Sequence, residues 1–155
     1  MNLYIKAALH QLEVAVKSTI IIINQLEEKD LGIRPIKDKR SIGEILEHMS
    51  LIPQADYLIL NGASEEEMKD FYSQFTIQTL SEIKQNLLRA FEFLEVHVTE
   101  YREEQMFERA ASYWGAEYTR YEWILEIVAH MYHHRGQLYT MLNYCGKNLE
   151  VKLFE

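Results

Sequence analysis

A chain of 155 residues is the size of one compact domain, and 48% hydrophobic with 26% charged residues is the balance of a globular protein with a core. Sixteen Lys and Arg against 24 Asp and Glu leave a net charge of −8. This argues against nucleic acid as a partner, because phosphate recognition needs a basic face, and against docking on an anionic membrane surface.

The N-terminal segment is apolar, but Lys6, Glu13 and Lys17 interrupt it at helical spacing, which a signal peptide would not tolerate. Its longest aliphatic run, Ile20 to Ile23, is far short of the roughly 20 residues that span a bilayer. The single cysteine, Cys145, cannot form an internal disulfide, so the fold does not depend on oxidation. The expectation is a single cytoplasmic domain over residues 1–155.

Two prolines, six glycines and no tract of period-two alternation point to helices. The first helical pattern covers about Asn2 to Lys29, with Ile5, Ala8, Leu9, Leu12, Ala15, Val16, Ile23 and Leu26 on one stripe. Asp30, Gly32 and Pro35 end it. Ser41 and Glu44 form a capping box that opens a second helix, whose inward stripe is Ile42, Ile45, Met49, Ile52 and Leu60. Pro53, with no N–H, is expected to kink that helix. Asn61 and Gly62 stop it, and Ser64 to Phe75 reads as an acidic connection. A third helix is expected from about Thr76 to Tyr101, with Leu80, Ile83, Leu87, Phe91, Leu94 and Val98 inward. Arg102 to Tyr118 is a partly irregular link. Thr119 and Glu122 repeat the capping spacing before a last helix to about Tyr144, with Gly146 as its stop. Four amphipathic helices make an all-α helical bundle. The connection after the second helix is long enough, at about 3.3 Å per residue, for a crossover joining two parallel helices.

Three of the six histidines stand out. His130 and His134 are one turn apart on the last helix; His134 lies within the stripe of Trp123, Ile127, Met131, Leu138 and Met141, and His130 at its edge. His48 lies in line with Ile45 and Ile52 on the second helix. Two readings stand side by side: three imidazoles converging on one divalent cation with an open fourth position, or hydrogen-bonded core histidines. Glu126 and Gln137 share the edge of His130, so each is a candidate orienter or proton acceptor, or an ordinary polar flank. His133 points away from the stripe, and His10 and His97 read as surface or boundary residues. Glu44 is accounted for by capping. Cys145 lies too far along the helix from His134 to join it and reads as a buried inert thiol. Tyr113, Trp114, Tyr118, Tyr121 and Trp123 read as core packing or closure of the bundle end, or as a wall at the mouth of a metal pocket. Arg135 reads as a contact for an anionic substrate or as a salt-bridge partner inside the bundle, and the salt bridge is the favoured reading.

Tyr113-Trp114-Gly115 ahead of the final helix, His130 to Gln137 within it, and SIGEILEHMS over Ser41 to Ser50 together resemble the DinB-like (DinB/YfiT) superfamily. These are small helical proteins, distinct from the polymerase of the same name. The resemblance implies a four-helix bundle in up-down-down-up order, often a homodimer, with a divalent metal on His48, His130 and His134. Nickel or zinc is usual there, and imidazole suits both. Members of this kind include thiol-dependent S-transferases and isomerases that use bacillithiol, mycothiol or glutathione, and others described as metal-dependent hydrolases.

Three functions follow as expectations. The first is metal-dependent transfer of a low-molecular-weight thiol to a small electrophile, with the cation favouring thiolate at neutral pH. The second is metal-assisted hydrolysis at the same site, with Glu126 or another carboxylate taking the proton. The third is a non-catalytic, stress-associated metal-binding or structural dimer.

Overall fold

The computed structural model describes residues 2–76 and 79–155. The fold is mostly helical. Four long helices, α1 (Leu3–Ile23), α2 (Ile42–Leu60), α4 (Leu80–Thr99) and α6 (Arg120–Tyr144), surround one core. Two short helices, α3 (Glu65–Ser73) and α5 (Glu103–Met106), lie in the connections. A two-stranded antiparallel hairpin, β1 (Arg109–Ala111) and β2 (Glu117–Thr119), precedes α6. Both α1 and α2 pack against α4 and α6. Among the described residues, no helix is long and apolar enough to cross a membrane.

Side-chain caps set most of the helix starts. Ser41, Ser64, Thr79 and Thr119 each accept a hydrogen bond from the backbone N–H three residues on, and Glu44, Glu67, Glu82 and Glu122 reach back. Two of these boxes correct the sequence reading. Ser64 and Glu67 turn the expected acidic connection into α3, which buries Met68 and Phe71. Thr79 starts the third long helix at Leu80 rather than Thr76; Ile77 and Gln78, included in the expected helix, lie outside the described residues. The first helix also stops earlier than its apolar pattern. Asn24 caps it after Ile23, and a 3-10 turn follows at Glu28–Gly32. Leu26 stays buried beyond the helix end, so the stripe continues without the helix. At Gly62 and Gly146 the backbone takes φ of 87° and 82°. Ala63 N–H bonds to Leu58 C=O and Lys147 N–H to Leu142 C=O, each closing its helix with the 6→1 bond of a glycine stop. The α2 helix runs without a break through the buried Pro53.

The stripes read from the sequence are the ones that pack: Ile5, Leu12, Ile45, Met49, Leu87 and Met131 are each at most 2% exposed. Two expectations fail. Cys145 is exposed, because it is the C-cap residue beyond the last packed turn, which ends at Leu142. Arg135, only 2% exposed, has no carboxylate partner among the described residues. Its Nη1 donates to the Ser18 hydroxyl at 2.7 Å, and its guanidinium stacks over Tyr132 and Phe154. Aromatic faces and a hydroxyl take the place of the expected ion pair.

The loop between α1 and α2 is fastened along its length. Ile42 N–H donates to Ile33 C=O, and the Arg34 guanidinium makes two 2.8 Å bonds to the Glu44 carboxylate while also reaching Lys39 C=O. Gly43 permits the 3-10 turn to approach α2, since a Cβ there would lie 2.9 Å from Leu31 C=O. Gly43→Ala is therefore expected to destabilise the protein, although alanine is the better helix former by about 1 kcal/mol. Chemical denaturation of the two proteins checks this, the sterically undemanding direction being a gain in midpoint.

Candidate metal centre

His48 reaches the interior from α2, and His130 and His134 reach it from α6. The His48 Nε2 lies 3.1 Å from His134 Nε2 and 3.3 Å from His130 Nε2. These three nitrogens form one group that could hold a metal ion. His134 is 8% exposed, and the other two are half-buried.

The far side of two rings is pinned. His130 Nδ1 lies 2.7 Å from Asp56 Oδ2, and His134 Nδ1 lies 2.7 Å from Gln137 Oε1. Carboxylate and amide oxygens only accept, so both Nδ1 atoms carry the proton, and each neutral ring turns an Nε2 lone pair inward. With His48 Nε2 within 3.3 Å of both, ring nitrogens so placed repel unless a cation or a proton sits among them. The donor set is that of a divalent ion with three imidazole ligands, each ring oriented by hydrogen bonding where a partner is present.

The acid–base balance of the three rings is unequal. Burial, the nearby Arg40 charge and the other two imidazoles push His48 down to about 3. Burial also lowers His134, against the Gln137 hydrogen bond. In His130 burial opposes protonation, but the Asp56 hydrogen bond and charge outweigh it and raise the group above the ordinary imidazole value.

Among the other candidates, Gln137 sits on His134 rather than on His130, whose edge it was expected to share. Glu126 forms a second group of close ligand atoms with Asp56 and His130. Its carboxyl is raised by burial and by the Asp56 charge. His133 is exposed, its ring edge-on to His134 with centroids 4.9 Å apart. His10 is exposed, whereas His97 is half-buried with Nδ1 on Phe93 C=O at 2.7 Å.

Asp56 was the residue missed. It falls eight positions after His48, on the same α2 face as Ile45 and Ile52, and a carboxylate on an apolar stripe was the available signal.

A cleft of about 770 Å³ opens beside the centre, with His134 and Gln137 in its wall. Its opposite wall is the α1–α2 loop, through Ile36, Lys39 and Arg40. None of Tyr113, Trp114 and Tyr118 ahead of α6, or of Tyr121 and Trp123 in its first turns, is among its lining residues. That segment instead packs on itself: Trp123 Nε1 donates to Ala110 C=O at 2.9 Å, and Tyr118 and Trp114 lie edge-on to Trp123.

Fold and site together define a small helical protein with a three-histidine candidate metal centre. The model of the DinB family matches residues 4–150, and the chain belongs to that family. No curated protein matches it. Among solved structures it is similar to a proposed DinB-family member from Exiguobacterium sibiricum, with 28% identity and a TM-score of 0.88 over 99% of both chains. A DinB-like protein from Bacillus cereus, at 16% identity and TM-score 0.76, covers 95% of this chain and 96% of its own. The DinB-like protein YjoA of Bacillus subtilis, at 14% identity and TM-score 0.69, covers 99% of both. The last two similarities concern the fold alone.

Removing the Asp56 hydrogen bond should free the His130 ring. Asp56→Ala is expected to weaken zinc affinity by about 10- to 100-fold. Asp56→Asn, which keeps an acceptor, should recover part of that loss in a competitive chelator titration. Affinity should also be pH-dependent, because protons compete for the same nitrogens. His130 has the raised value, so it is the first ring to protonate on acidification. Zinc binding is expected to hold above its titration and to fall as pH drops through it; a flat profile from neutral pH downward would contradict this.

Proposed function

We propose that the chain is a metal-dependent enzyme that transfers a low-molecular-weight thiol, of the bacillithiol type, to small electrophiles. His48, His130 and His134 would hold nickel or zinc. The observation that carries this reading is the convergence of three Nε2 atoms beside an open cleft, with two of the rings anchored from behind. A bound divalent ion supplies Lewis acidity, which stabilises a thiolate at neutral pH.

The protein's own groups do the rest. Asp56 and Gln137 keep the Nδ1 protons of His130 and His134 in place, so their Nε2 atoms remain acceptors. Glu126, next to Asp56 and His130 and raised by burial, is placed to take up the proton released by a thiol. Ile36, Ile45 and Met141 give the cleft an apolar lining on which the substrates would lie. The exposed Cys145 stands beyond the C-terminal turn of α6, eleven residues past His134, and takes no part.

We also infer the up-down-down-up helix order. Tyr4 meets Tyr121 near the starts of α1 and α6, and Gln25 meets Glu150 past their ends. Ser50 meets Asn86, and Asn61 meets Tyr101, between α2 and α4. The pairs His48–His134 and Asp56–His130 run in opposite senses along α2 and α6.

Glu126 also favours a second reading, metal-assisted hydrolysis, in which the same carboxylate accepts a proton from water. Conjugation of monochlorobimane to a panel of low-molecular-weight thiols separates the two. Zinc- or nickel-loaded protein is expected to accelerate it, with loss of at least about 100-fold in His134→Ala or after chelation. Turnover of ester or amide substrates without thiol would support hydrolysis; no conjugation with any thiol would overturn the transferase reading.

A further inference from the structure

The cleft beside the histidines has an unexpected charge for a chain of net charge −8. Its outer wall carries Lys39 and Arg40, both exposed. Among the described residues neither side chain has a carboxylate within ion-pair distance. Of the other cations between α1 and α2, Arg34 is neutralised by Glu44 with the Asp38 charge also acting on it, Lys29 pairs with Glu27, and Lys37 is not among the residues that line the cleft. Two positive charges are therefore left at the mouth. The backbone that carries them is held in place, because Arg34 binds both Glu44 and the Lys39 carbonyl.

Between that cationic rim and His134 the wall is largely apolar, formed by Ile36, Ile45 and Met141. The cavity, at about 770 Å³, has room for a molecule well beyond a two-carbon thiol. Any ligand filling it has one end at the imidazoles and the other beside two unpaired cations.

We propose that Lys39 and Arg40 are specificity residues that select a thiol carrying a carboxylate or phosphate. They hold this anionic group at the cleft mouth, the body of the molecule lies on Ile36, Ile45 and Met141, and the sulfur lies at the histidine centre. The proposal rests on the thiol-transfer reading and adds the charge of the thiol. It makes the loop, rather than α6, the element that chooses the substrate. A guanidinium and an ammonium facing one anion form charge-assisted hydrogen bonds with it, which are stronger than those between neutral groups.

The test uses cobalt(II)-loaded protein, in which a metal-bound thiolate adds a charge-transfer band in the near ultraviolet. Two matched series of probes are titrated anaerobically: ω-mercaptocarboxylates of three, six and eight carbons, and the ω-mercaptoalcohols of the same lengths. At the length that spans the cleft, the acid is expected to bind at least about tenfold more tightly than its alcohol. In Lys39→Gln/Arg40→Gln that preference should vanish while the alcohol affinities stay within about twofold of wild type. Both positions are exposed, and circular dichroism establishes that the double variant is folded. Equal binding of acids and alcohols at every length, or a preference that survives in the double variant, would overturn the proposal and leave thiol transfer standing. Failure of both series to produce the thiolate band would overturn the thiol-transfer reading, and this proposal with it.

Discussion

Three converging imidazoles, with His48 Nε2 within 3.3 Å of the Nε2 atoms of both His130 and His134, are the constraint on which the interior of this protein depends. Ring nitrogens so close repel unless a cation or a proton lies among them, and partial burial limits the water that could solvate them. The arrangement holds because two rings are fastened from the other side, one by a carboxylate on α2 and one by an amide on α6 itself. Asp56 is the more consequential of the two. It crosses from α2 to a histidine on α6, so the same bond orients a ligand and joins two helices. The site and the helix packing are in this sense one structure: where α2 carries His48 and Asp56 two turns apart, α6 presents His134 and His130 one turn apart to meet them.

The surroundings divide the centre into two unlike sides. On one, Asp56 and Glu126 flank His130 and make the environment acidic. On the other, the cleft runs from His134 to Lys39 and Arg40 and is cationic at its mouth. A reaction that moves a proton one way and admits an anion the other has a place for each. The rigidity of the cationic side comes from an unassuming source: the close approach of the 3-10 turn at Gly43, and the Arg34–Glu44 pair, hold a loop that would otherwise be free to move. Glu44 thus serves twice, in the cap of α2 and as the anchor of the loop.

Legibility in the sequence followed the range of the interaction. Capping boxes and apolar periodicity act within one or two helical turns, so the starts of α2 and α6 and the buried stripes of all four long helices could be read directly. The same logic was available at Ser64–Glu67 and Thr79–Glu82, where α3 and the start of α4 follow the identical pattern. The acidic run after Ser64 hid the first of these, because three glutamates in a row suit a helix N-terminus as well as they suit a solvated loop. Where α1 ends was less legible, since Leu26 remains buried and extends the stripe past the point at which the backbone leaves the helix.

Sequence alone determined that the chain is helical and that His48, His130 and His134 lie on or at the edge of inward faces, because periodicity fixes on which side of a helix a residue lies. Tertiary structure decided everything that requires two helices or a loop to meet. It put His48 Nε2 at hydrogen-bond distance from the other two Nε2 atoms, gave His130 to Asp56 and His134 to Gln137, and left Arg135 among Ser18, Tyr132 and Phe154 with no carboxylate among the described residues. It also set Lys39 and Arg40 across a cleft from His134, nearly a hundred residues away in the chain. Contacts of that kind depend on the rotation and offset of one packed helix against another, quantities that no local pattern encodes.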